Sequence, residues 1–241
     1  MIEFLEGDRS TESLDSAEFG QINGSNTKAD YLLGNRGLVV ELKTLNASPK
    51  DRTERRLKER LSQRDAPIVY GRVGVAQVIE GLADRDAISK MMIDMAGRAV
   101  RRHLQKANDQ IRAVKARLGL PDAGGILILM NEAEAMIDAS AIGYTLKNAF
   151  ETVEGGYSHI TSVWAIIEGH CIGMPGGRIG FPHLHVFKSL ERKAELDYIN
   201  RMLWAWGCFN ESRMERIDHR GDWNVMRPIY DGEPPTLQPF E

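Results

Sequence analysis

The chain has 241 residues and a formal net charge of −3; hydrophobic residues make up 42% of it and charged residues 27%. These proportions are typical of a globular domain with a sizeable core, and they exclude collagen-like, low-complexity and wholly disordered classes. No stretch approaches 18 uninterrupted apolar residues, so neither a transmembrane helix nor a membrane partner is predicted. The opening MIEFLEGDRSTE lacks the pattern of a signal peptide, and only two cysteines occur, so we expect a cytoplasmic protein.

The charges are unevenly distributed along the chain. Residues 1–50 have eight acidic and five basic side chains, residues 51–117 have nine acidic and 16 basic, and residues 118–241 have 17 acidic and ten basic. A positive middle third offers a surface for a phosphate backbone. A solvated set of helices with a mild excess of basic residues explains the same distribution.

Hydrophobic periodicity and turn residues predict an α/β fold with a mixed central sheet flanked by helices. The apolar stripe of the longest predicted helix recurs at intervals of three and four and takes in His103. The predicted elements in chain order are helix 10–19, hairpin strands 29–33 and 38–44, helices 50–63 and 84–118, strand 125–130, helix 138–151, strands 160–168 and 183–187, and helix 189–208.

These elements are predicted to form a single domain over residues 1–241. Its core covers about residues 10–130, and the strands and helix of residues 131–227 complete it. The glycine-rich stretch 173–180 lacks the Lys-Ser/Thr end of a phosphate-binding loop and is predicted to be a mobile loop. Residues 228–241 contain four prolines and few apolar residues, which is typical of a tail.

The hairpin places charged residues within apolar strands. If its turn centres between Asn35 and Arg36, opposed residues have numbers that add to 71, so Asp30 faces Glu41 directly and Lys43 shares their face. Two opposed carboxylates in buried strands repel each other unless a cation compensates them. A hard divalent cation prefers such oxygen ligands, and a neighbouring lysine can orient water or stabilise charge on phosphate. The pattern therefore predicts metal-assisted phosphodiester hydrolysis.

The order of these residues resembles the signature of the PD-(D/E)xK nuclease superfamily, in which an Asp on one strand precedes Glu-x-Lys on the next. Here Asp30 precedes Glu41-Leu42-Lys43, and Ala29 stands where the name-giving proline would be. The resemblance implies a restriction-endonuclease-like core of a helix, a three-stranded antiparallel hairpin region, a helix and a further strand. It also implies that Asp30 and Glu41 hold Mg²⁺ or Mn²⁺ and that Lys43 positions the attacking water.

The resemblance further implies contributions from two helices. The first helix of the superfamily often supplies another metal-ligating Glu, for which Glu18 and Glu12 are the candidates; Glu18 is preferred because it is nearer the hairpin. The helix after the Glu-x-Lys strand often adds polar residues, and the candidates for phosphate contacts are Arg98, Arg102, Gln105 and Lys106. The solvated face of an amphipathic helix would show the same three-and-four spacing.

The sequence thus predicts a metal-dependent nuclease with DNA as the preferred substrate, acting in restriction, repair or phage defence. A non-catalytic nucleic-acid-binding or scaffold protein on a degenerate nuclease fold is the alternative, and the retained Asp30, Glu41 and Lys43 argue against it. A third hypothesis is a metal-dependent hydrolase built on His170, His183 and His185. Many nucleases of this kind act as homodimers because two strands need two sites, but the sequence leaves open the oligomeric state, DNA versus RNA, and endo- versus exonucleolytic cleavage.

Overall fold

The computed structural model of the chain describes residues 1–15, 28–45, 85–132, 137–152, 156–174, 176–189, 191–217 and 226. These residues form an α/β fold in which a six-stranded mixed sheet has helices on both faces, as the hydrophobic pattern predicted. Within them, no helix combines the length and the apolar character needed to cross a membrane. The elements, numbered along the chain, are α1 (Ile2–Glu6), β1 (Glu12–Ser13), β2 (Tyr31–Leu33), β3 (Leu38–Thr44), α2 (Arg85–Leu118), β4 (Gly124–Asn131), α3 (Ala139–Thr152), β5 (Ser162–Ile167), β6 (Ile172–Met174), β7 (Arg178–Gly180), β8 (His183–Phe187) and α4 (Lys193–Phe209).

The strands of the main sheet lie in the order β1-β2-β3-β4-β5-β8. β2 is antiparallel to β3, whereas β3, β4 and β5 are parallel to one another, and β8 is antiparallel to β5. Parallel neighbours need a long crossover; α2 lies in the connection from β3 to β4, and α3 in that from β4 to β5. The carboxyl ends of the three parallel strands therefore meet at one edge of the sheet, and Glu41 and Lys43 lie towards that edge.

Each face of the sheet has its own apolar core, because successive side chains of a strand point to opposite faces. Val39, Leu127 and Leu129 belong to the core that α2 and α3 cover, while Val40 and Ile128 belong to the core that α1 and α4 cover. β4 and β5 are buried along their whole length. Their sequences are accordingly continuous apolar runs rather than alternating patterns.

The long helix α2 lies on the first of these cores through a fully buried apolar stripe: Val100, Leu104, Ala107, Ile111 and Val114. It ends at Gly119, whose φ of 65° favours glycine, and the Leu120 N–H donates to the Lys115 carbonyl at 2.9 Å. His103 and Gln110 lie beside this stripe and are half-buried. Two polar side chains of α2 are thus held close to the sheet.

The prediction of a helix at residues 10–19 is wrong for residues 10–15, the part that the structure describes. Glu12 and Ser13 form the strand β1 and pair with Leu32 and Tyr31 of β2, and the helix of this region is α1 instead. Pairing along β2 satisfies backbone groups that a short helix of low propensity would satisfy poorly. Residues 16–19 lie outside the described residues, as do the predicted helix 50–63 and the tail 228–241.

The glycine-rich stretch predicted to be a loop is a second small sheet. β6 and β7 pair as an antiparallel hairpin, with Met174 opposite Arg178. Gly176 and Gly177 between them have φ of 79° and 74°, which residues other than glycine rarely adopt. The glycines therefore serve a tight turn between two short strands.

A pair of glycines at the start of β4 allows a first test of this packing. A Cβ at Gly125 would lie 1.9 Å from the backbone carbonyl oxygen of His159, whereas one at Gly124 would meet the side-chain ends of Glu195 and Leu38, at 2.6 and 2.7 Å. Side-chain ends can move, whereas the His159 carbonyl belongs to the backbone just before β5, where the Thr161 N–H is bonded to the Gly125 carbonyl. We expect Gly125→Ala to lower the free energy of unfolding by roughly 3 kcal/mol, as overpacking does, and Gly124→Ala to lower it less. Urea denaturation of both variants measures this, and equal losses would contradict the close approach of Gly125 to the His159 backbone.

Candidate active site

The hairpin has the register that its turn predicted. Tyr31 pairs with Val40, Leu32 with Val39 and Leu33 with Leu38, so each pair of numbers adds to 71. The turn between them is possible because Gly34, Asn35 and Arg36 all adopt positive φ, from 54° to 65°.

Asp30 lies immediately before β2 and is held by three hydrogen bonds. Its N–H donates to the Val40 carbonyl at 3.0 Å, and its carbonyl accepts from the Leu14 N–H at 2.9 Å. Its carboxylate oxygen Oδ2 accepts the backbone N–H of Leu42 at 2.7 Å. The Asp30 side chain is therefore fixed against β3, next to Glu41.

Glu41 is fully buried on β3. Its Oε1 atom accepts from the Lys43 ammonium group, but its Oε2 atom has no hydrogen-bond partner within the described residues. Burial raises the pKa of Glu41 to about 8, the negative charge of Asp30 adds to this effect, and favourable interactions with Lys43 and Gln110 oppose it. The site thus contains a carboxyl group whose ionised form its surroundings stabilise incompletely.

The three predicted residues of the hairpin act on one another electrostatically. Burial raises the pKa of Asp30, while the Leu42 N–H and the positive charge of Lys43 lower it. Glu41 and Lys43 share the face of β3 that α2 covers, because they are two residues apart, and they form an ion pair. The structure therefore brings Asp30, Glu41 and Lys43 together.

Of the two candidate upstream carboxylates, Glu12 lies within the described residues and Glu18 does not. Glu12 is bound by Arg36 at the turn of the hairpin, with 2.7 Å between Arg36 Nη2 and Glu12 Oε2, and this hydrogen bond lowers the pKa of Glu12. Glu18 lies outside the described residues. Asp15 was not predicted, yet its negative charge raises the pKa of Asp30, and its carboxylate pairs with Lys28 Nζ at 2.5 Å. Glu12 is thus committed to a structural ion pair.

Two further residues, His103 and Gln110 of α2, lie near the site, although neither was predicted to belong to it. The Gln110 amide Nε2 donates to the Lys28 carbonyl at 2.8 Å, and Gln110 lies near enough to Glu41 to lower the pKa of that carboxyl group. His103 has a buried Nδ1 atom without a partner in the described residues, and burial lowers its pKa, followed by the charges of Arg102, Lys43 and Lys106. The seven-residue spacing of His103 and Gln110, which puts both on one helix face, is the signal that would have identified them.

The basic residues predicted to contact phosphate lie on α2, the same helix that carries His103 and Gln110. Arg98, Arg102 and Lys106 are exposed, and Gln110 continues their spacing of four residues, so the four lie in one row along the helix. Gln105 lies on a neighbouring row, where its amide donates to Asp109 at 3.1 Å. The exposed side chains of Arg98, Arg102 and Lys106 thus lie on the same row as Gln110, which contacts the segment just before Asp30.

Two histidines of the third hypothesis lie on the other face of the sheet, and the third, His170, follows β5. His183 and His185 are on β8, and His183 accepts a hydrogen bond from the Trp164 indole at 3.2 Å, in the core on the other face of the sheet. Burial lowers the pKa of both to about 4. In the described part of the chain, no three His, Cys, Asp or Glu side chains are grouped closely enough to hold a metal ion. The structure therefore gives no support to an imidazole metal centre.

The donor set at the hairpin fits a hard divalent cation. The hairpin offers two carboxyl groups close enough to affect each other, one with an oxygen that lacks a partner in the described residues. Mg²⁺ is commonly held by one or two carboxylates, with water and substrate phosphates completing its coordination. Asp30 and Glu41 are the residues that would hold it.

Comparison of the chain with protein-family models, with curated proteins and with solved structures found no match.

The raised pKa of Glu41 predicts a dependence of stability on pH in metal-free protein. Between its ordinary value of 4.5 and about 8, folded Glu41 retains a proton that the unfolded chain has released, so stability falls as pH rises through this window. A single group of this kind has a slope of about 1.4 kcal/mol per pH unit. Glu41→Gln removes the titration, so we expect its free energy of unfolding to rise relative to wild type between pH 5 and 8 in the presence of EDTA. Urea denaturation at several pH values measures it, and a constant difference would contradict the burial of an ionisable Glu41.

Proposed function

We propose that the chain is a metal-dependent nuclease that hydrolyses phosphodiester bonds, with DNA as its substrate and Mg²⁺ or Mn²⁺ as its cofactor. The observation that carries the proposal is Glu41: a fully buried carboxyl group beside a second carboxyl group, with an oxygen that lacks a hydrogen-bond partner in the described residues. A divalent cation would relieve both the repulsion and the unsatisfied oxygen. Lys43 alone pairs with only one of the two Glu41 oxygens.

The arrangement of elements supports the same proposal. A hairpin whose second strand is followed by a long helix and then by a parallel strand is the order that a restriction-endonuclease-like core requires, and β2, β3, α2 and β4 have that order. We propose that these elements are such a core. Cys171 and Cys208 are both free, which fits activity in a reducing cytoplasm.

The chain's own residues divide the chemistry between them. Asp30 and Glu41 would hold the ion, and the Leu42 N–H orients the Asp30 carboxylate for this task. The bound ion would polarise the phosphate and lower the pKa of a water molecule. Lys43, held against Glu41 and partly open to solvent, would orient the attacking water and donate to the phosphate oxygens as negative charge develops on them.

Arg98, Arg102 and Lys106 would bind the phosphate backbone, since their exposed row leads to the site. We propose a homodimer for cleavage of both strands of a duplex, with restriction, repair or phage defence as the setting. The test of the activity is incubation with closed circular and linear DNA, with and without Mg²⁺. Conversion of closed circles only when Mg²⁺ is present would establish endonuclease activity, and intact DNA under all conditions would favour the non-catalytic alternative.

Substitutions of Asp30 and of Lys43 are expected to differ in their effect on Mg²⁺ binding, although both reduce cleavage. Asp30→Ala removes a ligand, so it should abolish cleavage and also the increase in Tm that Mg²⁺ gives the wild type. Lys43→Ala should keep the increase in Tm but reduce cleavage at least about 100-fold, because the lysine acts on water and developing charge. Differential scanning fluorimetry and a cleavage assay separate the two effects. Lys147→Ala, an exposed lysine on α3, is the control; an active Asp30→Ala enzyme would refute the assignment.

The basic row predicts a change in DNA binding that does not depend on sequence. In the inactive Lys43→Ala background, Arg98→Glu and Arg102→Glu should each weaken binding to all duplexes alike and reduce the slope of log K against log salt by about one. Arg201→Glu is the matched control, since Arg201 is an exposed arginine of α4 on the other face of the sheet. Fluorescence anisotropy over a range of salt concentrations measures this. Equal slopes for all three variants would remove α2 from the binding surface.

A further inference from the structure

The hairpin of β6 and β7 leaves the main sheet at the edge where the candidate site lies. The N–H of Ile167, the last residue of β5, donates to the carbonyl of Pro182 at 3.1 Å, so the hairpin begins and ends at the carboxyl end of β5. Only β4 separates β5 from β3. Two spacings of about 4.8 Å therefore put the carboxyl ends of β3 and β5 about 10 Å apart. The hairpin thus stands beside the strand that carries Glu41 and Lys43.

The hairpin also lies on the same face of the sheet as these two residues. Ile172 of β6 is buried in the core that α2 and α3 cover, and Met174 packs against that core. The segment of residues 213–217, which follows α4, reaches the same face, because Ile217 packs against this core too. A substrate bound at the site would therefore meet the hairpin rather than the face that α1 and α4 cover.

Two arginines meet one carboxylate beside the turn of the hairpin. Arg178 is opposite Met174 in the last pair before the turn, and it donates two hydrogen bonds to Glu215, at 2.6 and 3.0 Å. Arg213 Nε lies 3.3 Å from the same carboxylate, and its side chain is 69% exposed. The charges of these three side chains sum to +1. Arginine is the side chain best suited to bind phosphate through paired hydrogen bonds.

The outer surface of the hairpin offers little obstruction to a large partner. Gly173 and Ile179 form the pair whose side chains point away from those of Met174 and Arg178, and Gly176 and Gly177 are exposed in the turn. Backbone without side chains allows close approach of a ligand. A ribbon of two strands also has a width that the major groove of a DNA duplex can accommodate.

We propose that the β6–β7 hairpin, with Arg178 and Arg213 beside its turn, is a second contact surface for the phosphate backbone of a DNA duplex bound at the candidate active site. The proposal rests on the proposed nuclease function. It adds to the basic row of α2 a surface that lies far from it in the sequence. Glu215 anchors Arg178 and thereby holds the hairpin to the segment after α4.

The test is the affinity of a DNA duplex over a range of salt concentrations, measured by fluorescence anisotropy in the inactive Lys43→Ala background. Arg213→Gln removes one exposed charge and keeps both hydrogen bonds between Arg178 and Glu215. We expect it to weaken binding roughly fivefold at 0.1 M salt and to reduce the slope of log K against log salt by about one. Arg201→Gln, on the other face of the sheet, is the matched control and should leave both quantities unchanged.

Glu215→Gln separates phosphate binding from a purely structural ion pair. Its amide oxygen can still accept a hydrogen bond from Arg178, while the loss of the negative charge frees both arginines for phosphate, so binding should become tighter. Affinity and slope in Arg213→Gln equal to those of Arg201→Gln, or weaker binding by Glu215→Gln, would overturn the role of the hairpin alone. An absence of duplex binding by the Lys43→Ala protein itself would instead overturn the proposed function together with this inference.

Discussion

The burial of Glu41 without full compensation is the constraint on which the candidate site depends. An ionised carboxylate costs several kcal/mol to bury, and a lysine ion pair offsets this cost only when the remaining lone pairs are also satisfied. Here one oxygen is paired with Lys43, the other has no partner in the described residues, and Asp30 adds a second negative charge nearby. A purely structural position would be occupied more stably by an apolar residue, so the arrangement indicates a function that needs the charge.

The fold supplies the rigidity that holds this unfavourable group in place. β3 lies between an antiparallel and a parallel neighbour, and both faces of the adjacent β4 are buried. The apolar stripe of α2 fixes the helix on the same face of the sheet, which determines where His103 and Gln110 point. The free energy gained from apolar burial elsewhere in the domain thus offsets the electrostatic cost of burying Glu41.

The sequence predicted those parts of the site that depend on local rules. The turn at Gly34 set the register of the hairpin, and alternation then placed Glu41 and Lys43 on one face. Long-range contacts were not predictable in the same way: β1 forms because Glu12 and Ser13 pair with β2, and Glu12 is then bound by Arg36. In the sequence, Gln110 was only one of several polar residues of a helix, and His103 was assigned to the apolar stripe that it borders. The side of a helix that faces the sheet depends on its packing, so the sequence alone did not show that these two residues lie near the carboxyl groups.

We propose that Asp30 and Glu41 hold one divalent cation. The most direct measurement is the anomalous diffraction of a crystal soaked in Mn²⁺, which locates the ion independently of any activity. The account predicts a single strong anomalous peak within bonding distance of a Glu41 carboxylate oxygen and of the Asp30 carboxylate, and its loss in Asp30→Ala. A peak bound to other side chains, or no peak at this hairpin, would contradict it.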